Sequence, residues 1–235
     1  ITTGLSENKF GVNLEQLPNL FELVPRMSNV LLTGIHFHIG SQIRDLQPYK
    51  DLCKTINSIQ DDFEDNSFSL EHINVGGGYG INYENPDSEP IPDFKSFFEV
   101  FEHELDLRSN QQLHFELGRS IVGQCGNLIS KVLFIKEGIN TNFAILDAGM
   151  TELIRPALYQ ASHKIDVLTS QLPEKTYDVV GPICETSDTF GRGLLLPELQ
   201  RGDLVAIRST GAYGEVMSSD FNLRDRAKAY YSDET

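Results

Sequence analysis

Apolar positions in this chain alternate between two periods. Leu14, Leu17 and Leu20, with Pro18 near the start, recur at helical spacing and predict a short amphipathic helix over residues 13–24. The run Val-Leu-Leu-Thr-Gly-Ile-His-Phe-His-Ile over 30–39 predicts a strand, and 46–63 returns to helical spacing. A second strand is expected over 70–75, a helix over 94–107 and a third strand over 113–117. Helices and strands that alternate in this way argue for parallel βαβ units. Past Val122 the texture becomes mainly β, with strands expected at 127–136, 142–146, 177–181 and 204–207 and one helix over 150–165. A domain boundary is therefore placed near Gly123, giving an α/β part over 1–122 and a β-rich part over 123–235.

The organising stretch is Ile73-Asn74-Val75-Gly76-Gly77-Gly78-Tyr79-Gly80. Three successive glycines after a β-branched run let a backbone come close to something, and their N–H groups can converge on an anion such as phosphate. The helix expected over 94–107 offers its N-terminal dipole to the same anion. His36 and His38 lie two apart and face one side of their strand. Such histidines are either hydrogen-bonded core residues or a zinc pair, and no third ligand has suitable spacing. His38 and Ser41, Gly76–Gly78, then Glu116 and Arg119 follow the three strand ends, which in a (β/α) barrel is the active-site face.

Composition narrows the partners. The chain has 235 residues and a formal net charge of −15, so nucleic acid is excluded as a general partner while a local arginine pocket for a small anion is not. Cys53, Cys125 and Cys184 are odd in number and lack metal-ligand spacing, which suits reduced thiols in a cytoplasm. No apolar run reaches membrane-span length, and Ile1-Thr2-Thr3-Gly4 is no signal peptide.

Seven motifs fall in one series: His36-Phe37-His38-Ile39-Gly40-Ser41-Gln42, Gly76-Gly77-Gly78-Tyr79-Gly80, Glu116-Leu117-Gly118-Arg119, Asp147-Ala148-Gly149-Met150, Arg155-Pro156-Ala157-Leu158-Tyr159, Gly181-Pro182-Ile183-Cys184-Glu185-Thr186-Ser187-Asp188 and Gly211-Ala212-Tyr213-Gly214. The set resembles the diaminopimelate decarboxylases, of the alanine-racemase-like (fold-type III) pyridoxal-phosphate enzymes, from Thr3-Gly4-Leu5 through Asn222. The resemblance implies the C-terminal part of a pyridoxal-phosphate-binding (β/α)8 TIM barrel followed by a β-rich domain. It implies a cytoplasmic homodimer with shared active sites that decarboxylates meso-2,6-diaminopimelate to L-lysine. His38 would stack on the cofactor ring, Ser41 and Gly76, Gly77 and Gly78 would hold its phosphate, Glu116 would pair with its ring nitrogen, and Tyr213 would border it. Arg119, Arg155 and Tyr159 would bind substrate carboxylate, for which a guanidinium fork is suited. Cys184 and Glu185 would reach into the neighbouring subunit, Cys184 as proton donor and Glu185 toward the distal ammonium. No metal is implied.

Plainer alternatives stand beside these roles: a structural ion pair for Arg119, a small buried hydrophobe for Cys184 and core packing for Tyr159. Asp147-Ala148-Gly149-Met150 and His36 read as structural. Leu117 stands where the family has Pro, and no lysine matches the family's Schiff-base lysine; Lys9 matches a different family position. About three barrel strands are recognisable where the fold has eight. The chain thus reads as an internal piece of a longer enzyme, with the N-terminal barrel strands absent and no normal turnover of its own. The competing functions are a related decarboxylase of another basic amino acid or polyamine precursor, and a non-catalytic cofactor-binding protein.

Overall fold

The computed structural model describes residues 9–232; Ile1-Thr2-Thr3-Gly4 and the start of the family resemblance lie outside them. The chain divides into two compact units. The first runs to Gly80 and resumes over Pro92–Gly118; the second takes Ile81–Ile91 and everything from Arg119 onward.

In the first unit, β1 (Gly34–His36), β2 (His72–Asn74) and β3 (Gln112–His114) form a parallel sheet in sequence order. The expected βαβ alternation is present, but each strand is shorter than expected. Pairing continues beyond the regular ladder through single bonds: the Phe37 N–H donates to Asn74 O (2.8 Å), Val75 N–H to His114 O (3.0 Å) and Glu116 N–H to Gly76 O (2.7 Å). The crossovers are α2 (Gln47–Asp65) and α3 (Phe94–Glu104). Helix α2 buries Tyr49, Leu52, Cys53, Ile56, Ile59 and Phe63, an i, i+3, i+4, i+7 stripe that packs on the sheet. Helix α3 adds Phe97, Val100 and Phe101 to the same core. The helix expected over 13–24 is α1 (Leu17–Leu23), flanked by 3-10 turns at Leu14–Gln16 and Val24–Arg26.

The second unit is a six-stranded mixed sheet in the order β6-β9-β4-β5-β7-β8, from β4 (Leu128–Glu137), β5 (Asn142–Leu146), β6 (Ile165–Val167), β7 (Glu174–Val180), β8 (Thr189–Pro197) and β9 (Leu204–Ile207). The two edge strands β6 and β8 approach each other, so the sheet is nearly closed around Val132, Leu146, Tyr177, Val205 and Ile207. A short helix α4 (Arg119–Val122) opens the unit's main stretch, from Arg119 onward.

The single helix expected over 150–165 is absent. Only α5 (Arg155–Tyr159) is helical: Pro156 suits its first turn, and Gln160 turns left-handed (φ 54°) and stops it. Ile165 and Val167 then pair with β9, as β-branched residues favour. Strand β8 escapes the periodicity because Gly191, Gly193 and Pro197 interrupt it; it is tolerated as an edge strand with register shifts against β7. No helix among the described residues is long and apolar enough to cross a membrane.

Ile73 is wholly buried and sits between Ile35 and Leu113 in register. Replacing it by Ala is expected to destabilise the first unit by about 2–5 kcal/mol. Urea denaturation measures this; a loss below about 1 kcal/mol would place the core of that unit elsewhere.

Candidate active site

In the first unit the strand ends deliver polar groups to one edge of the sheet. Gly76 and Gly78 have φ of 69° and 94°, a region costly for side-chain residues. A Cβ at Gly76 would collide with the Phe37 carbonyl, at Gly77 with that of Glu116 and at Gly78 with that of Gly40. The triplet is thus wedged between the extensions of β1 and β3. Asn74 secures it: its Oδ1 accepts the Gly76 N–H (2.8 Å) while its Nδ2 donates to Glu116 Oε1 (2.9 Å). Glu116 is exposed, and His36 Nε2 lies 3.5 Å from its other oxygen. His36 is therefore no core histidine. His38 is also exposed, and its Nδ1 lies 3.3 Å from the position of a Cβ at Gly76. The Tyr49 hydroxyl is buried without a hydrogen-bond partner, 3.5 Å from where a Cβ at Gly78 would stand. Ser41 is half-buried.

The expected dipole of α3 is already taken. Asp93 caps that helix, accepting the Ser96 N–H (3.0 Å) and hydroxyl (2.6 Å). A carboxylate at a helix N-terminus satisfies the free donors and repels a second anion.

In the second unit Arg119 and Arg155 are both buried, 5 % and 3 % exposed, and Tyr83 joins them. The Arg119 Nη1 donates to the Tyr83 hydroxyl (2.6 Å), and the Arg155 guanidinium lies over the Tyr83 ring at 4.5 Å. The Tyr213 ring faces Arg119 at 4.9 Å and takes a left-handed φ of 61°, rare for a bulky residue. Arg155 Nη1 donates to His163 Nε2 (2.6 Å), and His163 Nδ1 contacts Arg208 O (2.8 Å). No carboxylate among the described residues pairs with Arg155, and its buried Nε has no partner. Burial lowers the Arg155 pKa and Arg119 adds to this, while the tyrosines oppose it. Tyr159, four residues on, is 43 % exposed and so not core packing.

The loop that follows β7 is built on Asp188. Its buried carboxylate accepts the Met150 N–H (2.6 Å) and the Ile183 N–H (2.7 Å), and a Cβ at Gly181 would overlap it. Burial is the main cause of its raised pKa. This presents Cys184 and Glu185 outward; both are exposed, which excludes a buried hydrophobe at Cys184. Asp147 accepts the Ser130 hydroxyl (2.6 Å) and the Lys131 N–H (2.8 Å), a structural tie between β4 and the turn after β5. Among the described residues no group of three or more His, Cys, Asp or Glu could hold a metal.

The structure therefore brings Arg119, Arg155 and Tyr213 together, and separately His36, Asn74, Gly76 and Glu116. Tyr83, His163 and Asn74 were not singled out from sequence. Tyr83 lies in an acidic, proline-bearing loop (82–92) whose sequence carries no site motif, and His163 in the 150–165 stretch whose spacing predicts helix.

A family model described as pyridoxal-dependent decarboxylase, C-terminal sheet domain, matches residues 27–211. The chain belongs to the pyridoxal-dependent decarboxylase family. It carries the family's C-terminal sheet, preceded by βαβ units of the barrel. The diaminopimelate decarboxylase of Bacteroides thetaiotaomicron is 55 % identical over 100 % of this chain and 61 % of its own length. That of Aquifex aeolicus is 39 % identical over 97 % of this chain and 54 % of its own. The crystal structure of Helicobacter pylori diaminopimelate decarboxylase complexed with L-lysine superimposes with a TM-score of 0.85 at 39 % identity, covering 94 % of this chain and 55 % of that one. A lysine/ornithine decarboxylase from Vibrio vulnificus, complexed with cadaverine, matches at a TM-score of 0.84 and 25 % identity over 95 % of this chain and 60 % of that one. The chain thus spans about half to three-fifths of the length of these decarboxylases.

His163 titrates at about 4, well below its ordinary 6.5, chiefly because it is buried, with Arg155 and Arg119 adding to the effect. Below pH 6.5 the unfolded chain takes up this proton first. Stability from this residue is therefore complete above 6.5 and declines as pH falls toward 4, by up to about 3 kcal/mol. In urea denaturation from pH 7 to 4, His163→Gln is expected to lose that part of the slope; an unchanged slope would assign it to other groups.

Proposed function

We propose that this chain supplies the cofactor-phosphate and substrate-binding residues of a pyridoxal 5'-phosphate-dependent decarboxylase that converts meso-2,6-diaminopimelate to L-lysine and CO2. The observation that carries the reading is Arg155, a guanidinium withdrawn from water with no carboxylate among the described residues to balance it. Leaving a buried charge uncompensated is costly, so such a site is poised for an anion that arrives from outside. Diaminopimelate carries two carboxylates, and the Bacteroides, Aquifex and Helicobacter relatives are named diaminopimelate decarboxylases.

The residues of the first unit fit the cofactor. The glycine-lined turn has no room for side chains and the orphan Tyr49 hydroxyl is a donor beside it. Ser41 and Gly76–Gly78 would hold the phosphate and His38 would lie against the ring, while Tyr213, a residue of the second unit, would border the cofactor. Glu116, steadied by the Asn74 amide, would pair with the ring nitrogen and keep it protonated. When bound, pyridoxal phosphate supplies the electron sink for the pair left by departing CO2. Arg119 and Arg155, with Tyr159, grip substrate carboxylate bidentately and leave the scissile group orientated. Cys184 donates the proton that replaces CO2, and Glu185 pairs with the distal ammonium. Both sit on an outward loop, which suits delivery to a second copy of the chain in a homodimer. We assign cofactor binding to residues 1–122 and the substrate-binding helix to 123–235.

A lysine/ornithine-type substrate lacks the distal carboxylate and makes less use of the Arg155 guanidinium. The test is CO2 release by the full-length gene product, loaded with pyridoxal phosphate, from meso-diaminopimelate, L-lysine, L-ornithine and L-arginine. Turnover is expected with meso-diaminopimelate alone, and Arg155→Met is expected to raise its KM about 100-fold, the equivalent of ~3 kcal/mol. Equal turnover of ornithine or lysine would favour the related decarboxylases. Cofactor binding without turnover of any of the four would favour a non-catalytic protein.

A further inference from the structure

We propose that His163 is a positioning residue that anchors Arg155 while leaving its charge intact, so that the guanidinium stays available to a substrate carboxylate. This rests on the reading of Arg155 given above. An arginine can only donate. His163 Nε2, 2.6 Å from Arg155 Nη1, must therefore present a lone pair, which puts the ring proton on Nδ1, where the Arg208 carbonyl accepts it at 2.8 Å. Both ring nitrogens are thereby committed, and the tautomer is fixed by its neighbours.

The backbone on which His163 rides is equally fixed. The Lys164 N–H donates to Tyr83 O (3.1 Å), the Arg208 N–H donates to Lys164 O (2.8 Å), and Ile165 pairs with Ile207. The imidazole and the Tyr83 ring cross at 73° with centroids 4.9 Å apart, and the Tyr83 ring in turn lies under Arg155. Burial keeps the imidazole neutral, with its pKa at about 4. A carboxylate at this position would hold Arg155 as firmly, yet it would cancel the charge and compete with any incoming carboxylate. A neutral acceptor gives orientation without neutralisation.

Gln and Glu at position 163 are nearly isosteric and both reach as far as Nε2, but only Glu adds charge. The probe is pimelate, the C7 dicarboxylate without amines, titrated calorimetrically into the full-length holoenzyme, with steady-state KM for meso-diaminopimelate alongside. His163→Gln is expected to weaken pimelate binding about threefold and His163→Glu at least about 30-fold, with KM following Kd and kcat moving less. The Glu variant is expected to melt no lower than the Gln variant, since Arg155 stays held. Should His163→Glu not fold, His163→Asn, which keeps the donor to Arg208 but falls short of Arg155, is expected to weaken binding about tenfold against His163→Gln. Equal pimelate affinity in the Gln variant and in the Glu variant, or in the Gln and Asn variants, would overturn the proposal. Arg155→Met separates the two levels: if it leaves pimelate affinity unchanged, the carboxylate-receptor reading itself falls, and the role of His163 with it.

Discussion

A buried cation without a counter-ion among the described residues is the constraint on which the second unit depends. Arg155 has almost no contact with water, and the groups that reach it are an imidazole lone pair and an aromatic face. Each of those groups needs its own support. Tyr83 is brought by the 81–91 segment, which is stapled down where Asp87 takes both Lys164 and Arg208 and where Gln124 donates to the Pro86 and Glu89 carbonyls. Arg208, whose carbonyl fixes His163, is itself braced by Asp166, Asp87 and Asn127. The acids of this region are thus spent on the outer cations, Lys164 and Arg208, and none reaches Arg155. With a net charge of −15 the chain's overall field opposes an incoming carboxylate, so attraction for that group has to come from local, unbalanced charge of this kind.

Legibility from sequence follows how local each determinant is. The strands at 142–146 and 204–207 were readable to the residue because each is an isolated apolar run between turn signals. The helix over 150–165 was not, because its apolar spacing gave no warning that Gln160 turns left-handed or that Ile165 belongs to β9. Arg155 stood out through its motif, but its partners did not. Tyr83 is 36 residues before Arg119, and no local pattern links an acidic loop to an arginine that far on. His163 is nearer, eight residues beyond Arg155, but a turn rather than a helix brings the two together.

The glycine triplet shows a different kind of miss. Its residues were expected to be small so that an anion could come close. What presses on all three is protein: the carbonyls of Phe37, Glu116 and Gly40 occupy the space a Cβ would need. One of the three N–H groups is already bound to Asn74. Close strand packing alone is enough to demand glycine here, so the composition of such a loop is weaker evidence for phosphate than its remaining donors are.

The second unit is discontinuous in sequence: it borrows Ile81–Ile91 from between two stretches of the first. The sheet that begins after Gly118 is therefore not a transferable module. A segment cut at that boundary and joined to another protein would carry both arginines and the imidazole but not the tyrosine between them, and the anchoring partner of Lys164 and Arg208 would be missing with it. Recombination between family members would have to exchange the short 81–91 insert and the distant sheet together, which ties the evolution of an unremarkable acidic loop to that of a strand more than a hundred residues away.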